Sequence, residues 1–451
     1  MIRALRRWRI RRLYNAGHWS KARQKCKVEM AGPNRDFAAE LIVRCLYNEN
    51  LWRDLLDFAK SHPGADRGDY VHNARRKIAE EIEAAEGIPE PEQKNEWNHK
   101  DLLSNWLQEG NRLWLRHPWG WVHWDMPEGY MLNNTHPALL HLALEVLLSP
   151  WVPETKNWDA GVRVAGKHHS LSYSGGIDST AAMILMPENT ILAYHQRNFT
   201  STLNHSLPHS TFECIKERTN RDVLCIPSNH EKIRTFHQKQ TGFSTDHAAG
   251  VHLILLGDFL DLSGIAFGTP IDNTWLKKGL NYRDFKNSDY WEKWSKKFHD
   301  AGLSYDLVIN HLSEGATLKV CRNSKFHDIV NSCLRGIGAR WCGKCWKCFH
   351  KNGPLGRTFD ANSNEIVTFL NTAPLRSGFH ALWAVKNQHL DHLAPRLRAH
   401  LNQDFSWWDK GYLPGLNLIN PALRTIIKEN TEKYIEWMPQ PYQLERTHID
   451  V

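Results

Sequence analysis

The most informative stretch of the sequence is LSYSGGIDST, at residues 171–180. A short apolar segment of strand type ends at Tyr173, a serine and two glycines follow, and an apolar helix continues from Ala181. Paired glycines allow a tight turn that brings backbone N–H groups against an anion, and the positive end of the following helix points to the same place. The order of strand, glycine turn and helix therefore predicts a phosphate-binding loop, here called the phosphate loop (residues 174–180).

The polar side chains of the phosphate loop have distinct predicted roles. Ser174, Ser179 and Thr180 offer hydroxyl donors to a phosphate. Asp178 is an unfavourable neighbour for phosphate unless it holds a cation, so we expect Mg²⁺ beside a polyphosphate. The alternative is an ordinary serine-glycine turn in which Asp178 caps the helix.

Strands and helices alternate on both sides of this loop. Apolar segments at 171–173, 190–194, 223–226 and 264–267 alternate with helical segments at 179–186, 208–220 and 247–262. This alternation predicts an α/β fold with a doubly wound parallel sheet and ligands at the carboxyl ends of its strands. A competing stretch, Gly161 to Lys167, has P-loop spacing, but His168 occupies the position of the magnesium-binding serine or threonine, so we reject it.

The segment SGGIDS after the first of these strands resembles the pyrophosphate loop of the ATP pyrophosphatase superfamily. Members such as asparagine synthetases, transfer-RNA thiolases and 7-cyano-7-deazaguanine synthase cleave ATP between its α and β phosphates and attach AMP to a carbonyl or carboxylate oxygen. The resemblance covers roughly residues 165–350 and implies a HUP-type fold, that of the adenine nucleotide alpha hydrolases. It also implies that ATP and Mg²⁺ are bound by Ser172, Ser174, Gly175, Gly176, Asp178, Ser179 and Thr180.

Four cysteines have the spacing of metal ligands. Cys333, Cys342, Cys345 and Cys348 lie within sixteen residues, and the last three form the motif CGKCWKC. Thiolates two residues apart on a tight turn can share one tetrahedral Zn²⁺, and the glycine of the motif supplies the turn. An iron–sulfur cluster and free buried thiols are the alternatives.

A pyrophosphate loop followed by a CGxCxxC motif is similar to 7-cyano-7-deazaguanine synthase. Gln196 and Arg197 resemble that family's glutamine-arginine-histidine stretch, with Asn198 at the histidine position, and Gly268 and Thr269 match its glycine-led substrate loop. The resemblance implies cofactor contacts for Gln196, Gly268 and Thr269. In length and layout, the chain more closely resembles the ATP-dependent epimerase that inverts the terminal glutamate of UDP-N-acetylmuramoyl-L-alanyl-L-glutamate.

Other candidates for catalysis, besides Asp178 and Ser179, follow from their positions beside predicted strands and helices. Arg197 lies just past the second strand at the ligand edge and is the nearest cation for phosphate charge, or else a surface arginine. Asp246 and His247 precede an apolar helix, where they could bind an anion or transfer a proton, or else serve as a cap and a core histidine. Asp272 and Asn273 follow another strand and could face the substrate.

The sequence divides into four predicted regions. Residues 1–90 are a helical region with a TPR-like repeat, 91–160 a linker and tryptophan-rich segment, 161–350 the ATP pyrophosphatase domain with the zinc motif, and 351–451 a C-terminal helical region. The repeat is Leu-Tyr-Asn at 13–15 with Trp19, which recurs 33 residues later at 46–48 with Trp52. It is a candidate docking site for a protein partner, and the tryptophans serve either in packing or as a stacking surface.

Composition excludes several classes of protein. With 451 residues, 41% apolar and 24% charged, the chain can bury more than one core and is not expected to be disordered. No apolar segment approaches the roughly 20 residues of a membrane span, so we expect a cytoplasmic protein. The net charge of +8 suits an anionic small molecule as well as nucleic acid. Because no RNA-binding module is recognisable, nucleic acid is not the expected partner.

These features together predict an AMP-forming ATP pyrophosphatase, a ligase or epimerase, with ATP, Mg²⁺ and Zn²⁺ as cofactors. The expected acceptor is a carboxylate or carbonyl of a small molecule or cell-envelope precursor. An amide- or nitrile-forming enzyme similar to 7-cyano-7-deazaguanine synthase, a modifier of a protein partner and an RNA thiolase are the alternatives.

Overall fold

The architecture is given by a computed structural model. It describes residues 2–450 except 63, 67–69, 72, 75, 76, 78–89, 92–95, 198–204, 238, 240, 334 and 337–339. Residues 92–95 of the predicted linker and tryptophan-rich segment, and Asn198, lie outside the described residues. The chain divides into two compact units, the first within Met1–Glu90 and the second beginning at Pro91. Among the described helices, none has the length and apolar character needed to cross a membrane.

The first unit contains the helices α1 (Ile2–Asn15), α2 (Trp19–Glu29), α3 (Arg35–Asn48) and α4 (Trp52–Ser61). The repeated Leu-Tyr-Asn motif ends α1 and α3, and the repeated tryptophan begins α2 and α4. Asn48 donates a hydrogen bond of 3.0 Å to the Tyr14 hydroxyl, which ties the two copies of the motif together. The predicted helical character is therefore present, while stacking of the TPR type stays a prediction.

The second unit is built on a mixed sheet of eight strands among the described residues. The strands are β1 (Trp106–Glu109), β2 (Arg112–His117), β3 (Gly120–Asp125), β4 (His168–Ser172), β5 (Ile191–Arg197), β6 (Val223–Ser228), β7 (Leu262–Phe267) and β10 (Ser304–Asp306). Their order in the sheet is β1-β2-β3-β6-β5-β4-β7-β10. A separate small hairpin pairs β8 (Leu276–Lys277) with β9 (Asn281–Tyr282).

A parallel block forms the centre of this sheet. β6, β5, β4, β7 and β10 run parallel, and the four strands predicted from apolar segments are β4, β5, β6 and β7. The predicted α/β class with a mostly parallel sheet is confirmed. Successive strands are added to one side of β4 and then to the other, so β4 and β7 flank the switch point at which ligands bind in open α/β sheets.

Both faces of the parallel block are buried. Ala193 of β5 belongs to one core cluster, whereas Leu192 and Tyr194 belong to another. Burial on both faces explains why β5, β6 and β7 are mostly apolar, whereas in β4 (HHSLS) Leu171 is the one apolar residue. The covering helices are α5 (Pro137–Leu148), α6 (Ile177–Leu185), α7 (Ser206–Thr219), α8 (Val251–Leu255), α9 (Asp289–Asp300), α10 (Glu314–Arg322), α11 (Asn364–Asn371), α12 (Gly378–Asn387) and α13 (Pro421–Glu432).

Two predicted regions differ in the structure. The tryptophan-rich segment forms β1, β2 and β3, which extend the sheet by antiparallel pairing, and Trp106, Trp114 and Trp124 are buried in it. Residues 351–450 do not form a separate region, since their side chains join both core clusters of the second unit. The helix predicted at 247–262 is shorter, with α8 preceded by a 3₁₀ turn at Asp246–Gly250.

Candidate functional site

The phosphate loop leaves β4 at the switch point of the sheet and enters α6 at Ile177. Gly175 has a φ of +72°, a left-handed conformation that favours glycine, and a side chain there would meet Phe212 and Pro208 at 3.2 and 3.3 Å. Because α6 begins at Ile177, the amides of Asp178 and Ser179 have no partner within the helix. The loop therefore presents N–H groups and the positive helix end together, as an anion site requires.

Two of the predicted hydroxyl donors lie at this turn. The Oγ atoms of Ser174 and Ser179 are 3.0 Å apart, and Ser179 also donates to the carbonyl of Gly176 at 3.0 Å. The third, Thr180, and Ser172 from the set implied by the resemblance are engaged elsewhere. The Thr180 hydroxyl is buried against the hydroxyl of Tyr173, and Ser172 donates to the carbonyl of Ala249 at 2.7 Å. Among the four hydroxyl residues of the predicted set, Ser174 and Ser179 therefore lie at the turn, and Ser172 and Thr180 have other partners.

The strand beside the loop approaches it closely at a glycine. A Cβ atom at Gly268 would lie 3.0 Å from both N and Cα of Ser179. No larger residue fits there without moving the first turn of α6. Gly268 thus borders the phosphate loop, and Thr269 follows it at the end of β7.

The four cysteines of the zinc motif converge on one point. The Sγ–Sγ distances are 3.9 Å for Cys333–Cys345, 3.8 Å for Cys342–Cys348 and 3.6 Å for Cys345–Cys348. A tetrahedral ion with Zn–S bonds of about 2.3 Å separates its sulfurs by about 3.8 Å. The four thiolates therefore fit a single Zn²⁺, whereas an iron–sulfur cluster would hold them further apart.

The local backbone supports this metal geometry. Gly343 has a φ of +68°, which makes the tight turn of the motif. The amide of Cys342 donates to Sγ of Cys333 at 3.2 Å, and the Asn352 side chain donates to Sγ of Cys348 at 3.5 Å. Such donors around the thiolates orient them and offset part of their negative charge.

The zinc segment, defined here as residues 332–351, contacts the phosphate loop at both of its ends. Ser332, next to the first cysteine, accepts a 2.9 Å hydrogen bond from the amide of Ile177. Lys351 lies three residues beyond the last cysteine in a short π-helical turn, and its Nζ is 2.8 Å from Oδ1 of Asp178. The segment thereby holds the loop from two directions.

Lys351 is the centre of a buried network of charges. Its ammonium group also lies 3.1 Å from Oε2 of Glu314, and Thr317 donates to Oδ1 of Asp178 at 2.9 Å. Burial alone would lower the pKa of Lys351, but the charges of Asp178 and Glu314 reverse that effect and raise the pKa above its usual value. Lys351 is therefore an ammonium group at neutral pH.

Asp272 adds to this network a carboxyl group whose pKa favours the protonated form. It is fully buried and accepts a 2.9 Å hydrogen bond from the amide of Glu314. Burial, together with the nearby charge of Glu314, raises the pKa of Asp272 well above its ordinary value. Asp272 was expected as a residue that could face the substrate, but it is fully buried against the first turn of α10.

Glu314, His350 and His380 form a second group with the composition of a metal site. However, Nε2 of His380 is 2.9 Å from the carbonyl of His350, and its Nδ1 accepts from Trp408 at 3.2 Å. Both ring nitrogens of His380 are therefore in use, and the ammonium of Lys351 already occupies the neighbourhood of Glu314. His380 and Glu314 are thus engaged by other partners, whereas neither ring nitrogen of the buried His350 has a hydrogen-bond partner among the described residues.

The predicted cation Arg197 is paired with an acid. Its guanidinium makes two contacts of 2.6 Å with the buried carboxylate of Glu231, which also lies 3.2 Å from Nε2 of His195. Gln196 points to the other face of β5 and is 3.1 Å from His209. Arg197 is therefore occupied by an internal ion pair, and Lys351 is the cation that contacts the loop.

Asp246 and His247 contact aromatic residues, not the phosphate loop. Asp246 accepts from the Tyr290 hydroxyl at 3.2 Å. His247 is buried among aromatic rings, including Trp294 at 4.2 Å between centroids. Burial, with a smaller effect of Lys293, lowers the pKa of His247 to about 3. Its surroundings are those of a neutral core histidine, which does not suit it to proton transfer near neutral pH.

Sequence reasoning missed the residues that join the zinc segment to the loop. Lys351, Glu314 and Ser332 were not singled out, although Lys351 and Ser332 flank the cysteine motif. Their proximity to that motif could have identified them, because a metal site fixes the position of the residues beside its ligands. Glu314 and Thr317 carried no comparable signal.

Comparison with known proteins gave one family match, which covers the zinc segment. Residues 293–354 match a family of unknown function, DUF6395. The match includes Glu314, the four cysteines and Lys351, but not the phosphate loop. Neither the curated proteins nor the solved structures compared with the chain gave a match.

Proposed function

We propose that the second unit is an ATP-dependent adenylating enzyme that releases AMP and pyrophosphate. The observation that carries this proposal is the contact of the buried Lys351 with Asp178 at a glycine loop on the switch point of a parallel sheet. This contact brings together the anion site of the loop, the carboxylate of Asp178, which could hold a cation, and the ammonium group of Lys351. The parallel block is also doubly wound about β4, as in open α/β sheets that bind ligands at the switch point.

The loop has the donors that the β and γ phosphates of ATP require. The amides of Asp178 and Ser179 and the hydroxyl of Ser174 can donate to phosphate oxygens, whereas the Ser179 hydroxyl would first have to leave the Gly176 carbonyl. Asp178 is the residue to hold Mg²⁺, which when bound would offset phosphate charge. Lys351 adds a second positive charge at the same place and donates hydrogen bonds from its ammonium group.

In the proposed reaction an oxygen of the acceptor carboxylate attacks the α-phosphorus of ATP. The bond between the α-phosphorus and the bridging oxygen breaks, an acyl-adenylate forms and pyrophosphate leaves with the electron pair. Catalysis of this kind depends on positioning and on stabilising the developing charge, so no protein nucleophile is needed.

The zinc segment has a structural part in this function. The thiolates of Cys333, Cys342, Cys345 and Cys348 would hold Zn²⁺, which fixes the segment that carries Ser332 and Lys351. The acceptor in this proposal is a carboxylate or carbonyl of a small molecule or cell-envelope precursor, and its class rests on the resemblance alone.

Binding of magnesium-ATP provides a test that needs no acceptor. Titration calorimetry with the full chain should show one site that depends on Mg²⁺ and is weakened at least tenfold by Asp178→Asn. The matched control is Asp159→Asn, an exposed position where asparagine retains the oxygen that accepts the Gly161 amide. The proposal fails if the wild type does not bind magnesium-ATP, or if both variants bind it with wild-type affinity.

A further inference from the structure

The first two helices carry a dense positive charge. Ten of the first 27 residues are lysine or arginine, and none is aspartate or glutamate. The remainder of the chain therefore holds 47 basic residues against 49 acidic ones, since the whole has 57 and 49. The excess positive charge of the protein is concentrated on α1 and α2.

These charges are displayed at the surface of the first unit. α1 buries Ile10, and α2 buries Ala22 and Cys26. Their exposed basic residues, here called the basic surface, are Arg6, Arg7, Arg9, Arg11, Arg12, Lys21, Lys25 and Lys27.

Little of the basic surface is neutralised. Arg6 is 3.3 Å from Glu29, at a distance and exposure that give a weak ion pair. Among the described residues, no carboxylate lies within ion-pair distance of Arg9, Lys21 or Lys25. A surface with so many unpaired cations attracts polyanions from solution.

An exposed aromatic ring accompanies the cations. The Trp8 side chain is 55% exposed, and the guanidinium of Arg12 lies 5.6 Å from the centre of its ring. The planar guanidinium of arginine can donate two hydrogen bonds to one phosphate group, and exposed aromatic rings stack on unpaired bases. Tryptophan among arginines on one helix therefore suits a nucleic acid better than it suits a simple anion.

The dimensions of α1 favour an extended ligand. Its 14 residues span about 21 Å at 1.5 Å each, a length along which duplex nucleic acid carries on the order of ten phosphates. A membrane surface fits less well, because an interfacial helix needs a continuous apolar face. On α1 the exposed large apolar residues are Leu5 and Trp8, with arginines on all sides.

We propose that the basic surface of α1 and α2 is a docking site for nucleic acid, held through its sugar–phosphate backbone. This inference concerns the first unit and is independent of the ATP site. It differs from the expectation drawn from the sequence, where the modest overall charge and the lack of a recognisable module argued against a nucleic-acid partner.

The test measures binding of the full chain to fluorescent 20-nucleotide probes by anisotropy at 50 and 200 mM KCl. The probes are an RNA duplex, a DNA duplex of the same sequence and a single-stranded RNA. The triple variant Arg9→Ala, Arg12→Ala, Lys25→Ala should bind at least tenfold more weakly than the wild type. It should also lower the slope of log affinity against log salt by about 2 to 3, close to one for each lost phosphate contact.

A matched control removes three exposed or half-buried lysines of the second unit, Lys100→Ala, Lys286→Ala and Lys428→Ala, and should keep wild-type affinity and slope. Comparison of the three probes distinguishes RNA from DNA as the source of the phosphates. Trp8→Ala should weaken single-stranded RNA binding more than duplex binding, and it leaves every charge in place.

Three results would overturn the inference. The first is no binding to any probe at 50 mM KCl, and the second is equal loss of affinity in the two triple variants. The third is binding confined to vesicles that contain phosphatidylserine, which would assign the basic surface to a membrane. Helical content measured by circular dichroism should be the same for all variants, because the substituted residues are exposed except for the half-buried Lys428.

Discussion

The ammonium group of Lys351 lies 2.8 Å from Oδ1 of Asp178 and so connects the zinc segment to the phosphate loop. The two residues are 173 positions apart in the sequence. One belongs to the first turn of α6, and the other follows the last zinc ligand by three residues. Metal binding and nucleotide binding are therefore expected to depend on each other.

Replacing Lys351 by methionine should destabilise the protein by about 3 kcal/mol, because it leaves the carboxylates of Asp178 and Glu314 without their partner in a mostly buried place. Adding Glu314→Gln to this variant should recover part of the loss, since one uncompensated charge is then removed. Urea unfolding measures both effects. If the double variant is less stable than Lys351→Met alone, the unpaired charge of Glu314 is not a cause of the lost stability.

Loss of the metal should weaken ATP binding. Cys345→Ser removes one thiolate from the tetrahedron, so we expect lower zinc content by mass spectrometry of metals and at least tenfold weaker binding of magnesium-ATP. Cys214→Ser is the matched control, because Cys214 is half-buried on α7 and outside the cluster. Zinc-free protein that binds ATP with full affinity would separate the zinc segment from the function of the loop.

Gly268→Ala should weaken nucleotide binding about tenfold without loss of zinc. The added Cβ would lie 3.0 Å from the backbone of Ser179, so the first turn of α6 must shift. Gly32→Ala is the comparison, since a Cβ there meets its nearest atom at 3.7 Å and the backbone is not left-handed. Equal ATP affinity in the two variants would show that the close approach of β7 has no role in shaping the loop.

Buried histidines should make the protein less stable in mild acid. Burial lowers the pKa of His247 to about 3, against about 6.5 in the unfolded chain. The unfolded state therefore binds more protons between these values. The contribution of His247 is fully present above about pH 6.5 and is lost as the pH falls towards 3.

His247→Phe isolates this effect, because a phenyl ring can occupy the same aromatic surroundings without titrating. Between pH 8 and pH 5.5 the wild type should lose about 1.4 kcal/mol more free energy of unfolding than the variant. Acid effects on the zinc site are common to both proteins and cancel in the difference. Identical pH dependence of the two proteins would mean that His247 is not held neutral by burial.

The sequence alone predicted those features that depend on local pattern. β5, β6 and β7 were visible because strands buried on both faces are mostly apolar, and β4 was located from Leu171 and Tyr173 beside the glycine turn. The zinc ligands were visible because their spacing is short. The tryptophan-rich strands were missed, since Trp and His residues give no clear alternation between buried and exposed positions. The charge excess at the N-terminus was countable, but its display on α1 and α2 required the structure.

Contacts between distant segments could not be predicted in the same way. Nothing in the sequence near Arg197 indicates that Glu231 neutralises it, and nothing near Asp178 indicates Lys351 or Thr317. Such pairs are created by the packing of separate elements on the sheet. The candidate site was therefore located from the sequence, but the cation that completes it was not.

Product analysis tests the proposed chemistry most directly. Zinc-replete protein would be incubated with magnesium-ATP and pools of carboxylic acids, and AMP, ADP, pyrophosphate and phosphate would be separated and quantified. We predict equal amounts of AMP and pyrophosphate that depend on one pool and disappear in Asp178→Asn. Formation of ADP and phosphate, or AMP formation that persists in Asp178→Asn, would contradict an adenylating role for the phosphate loop.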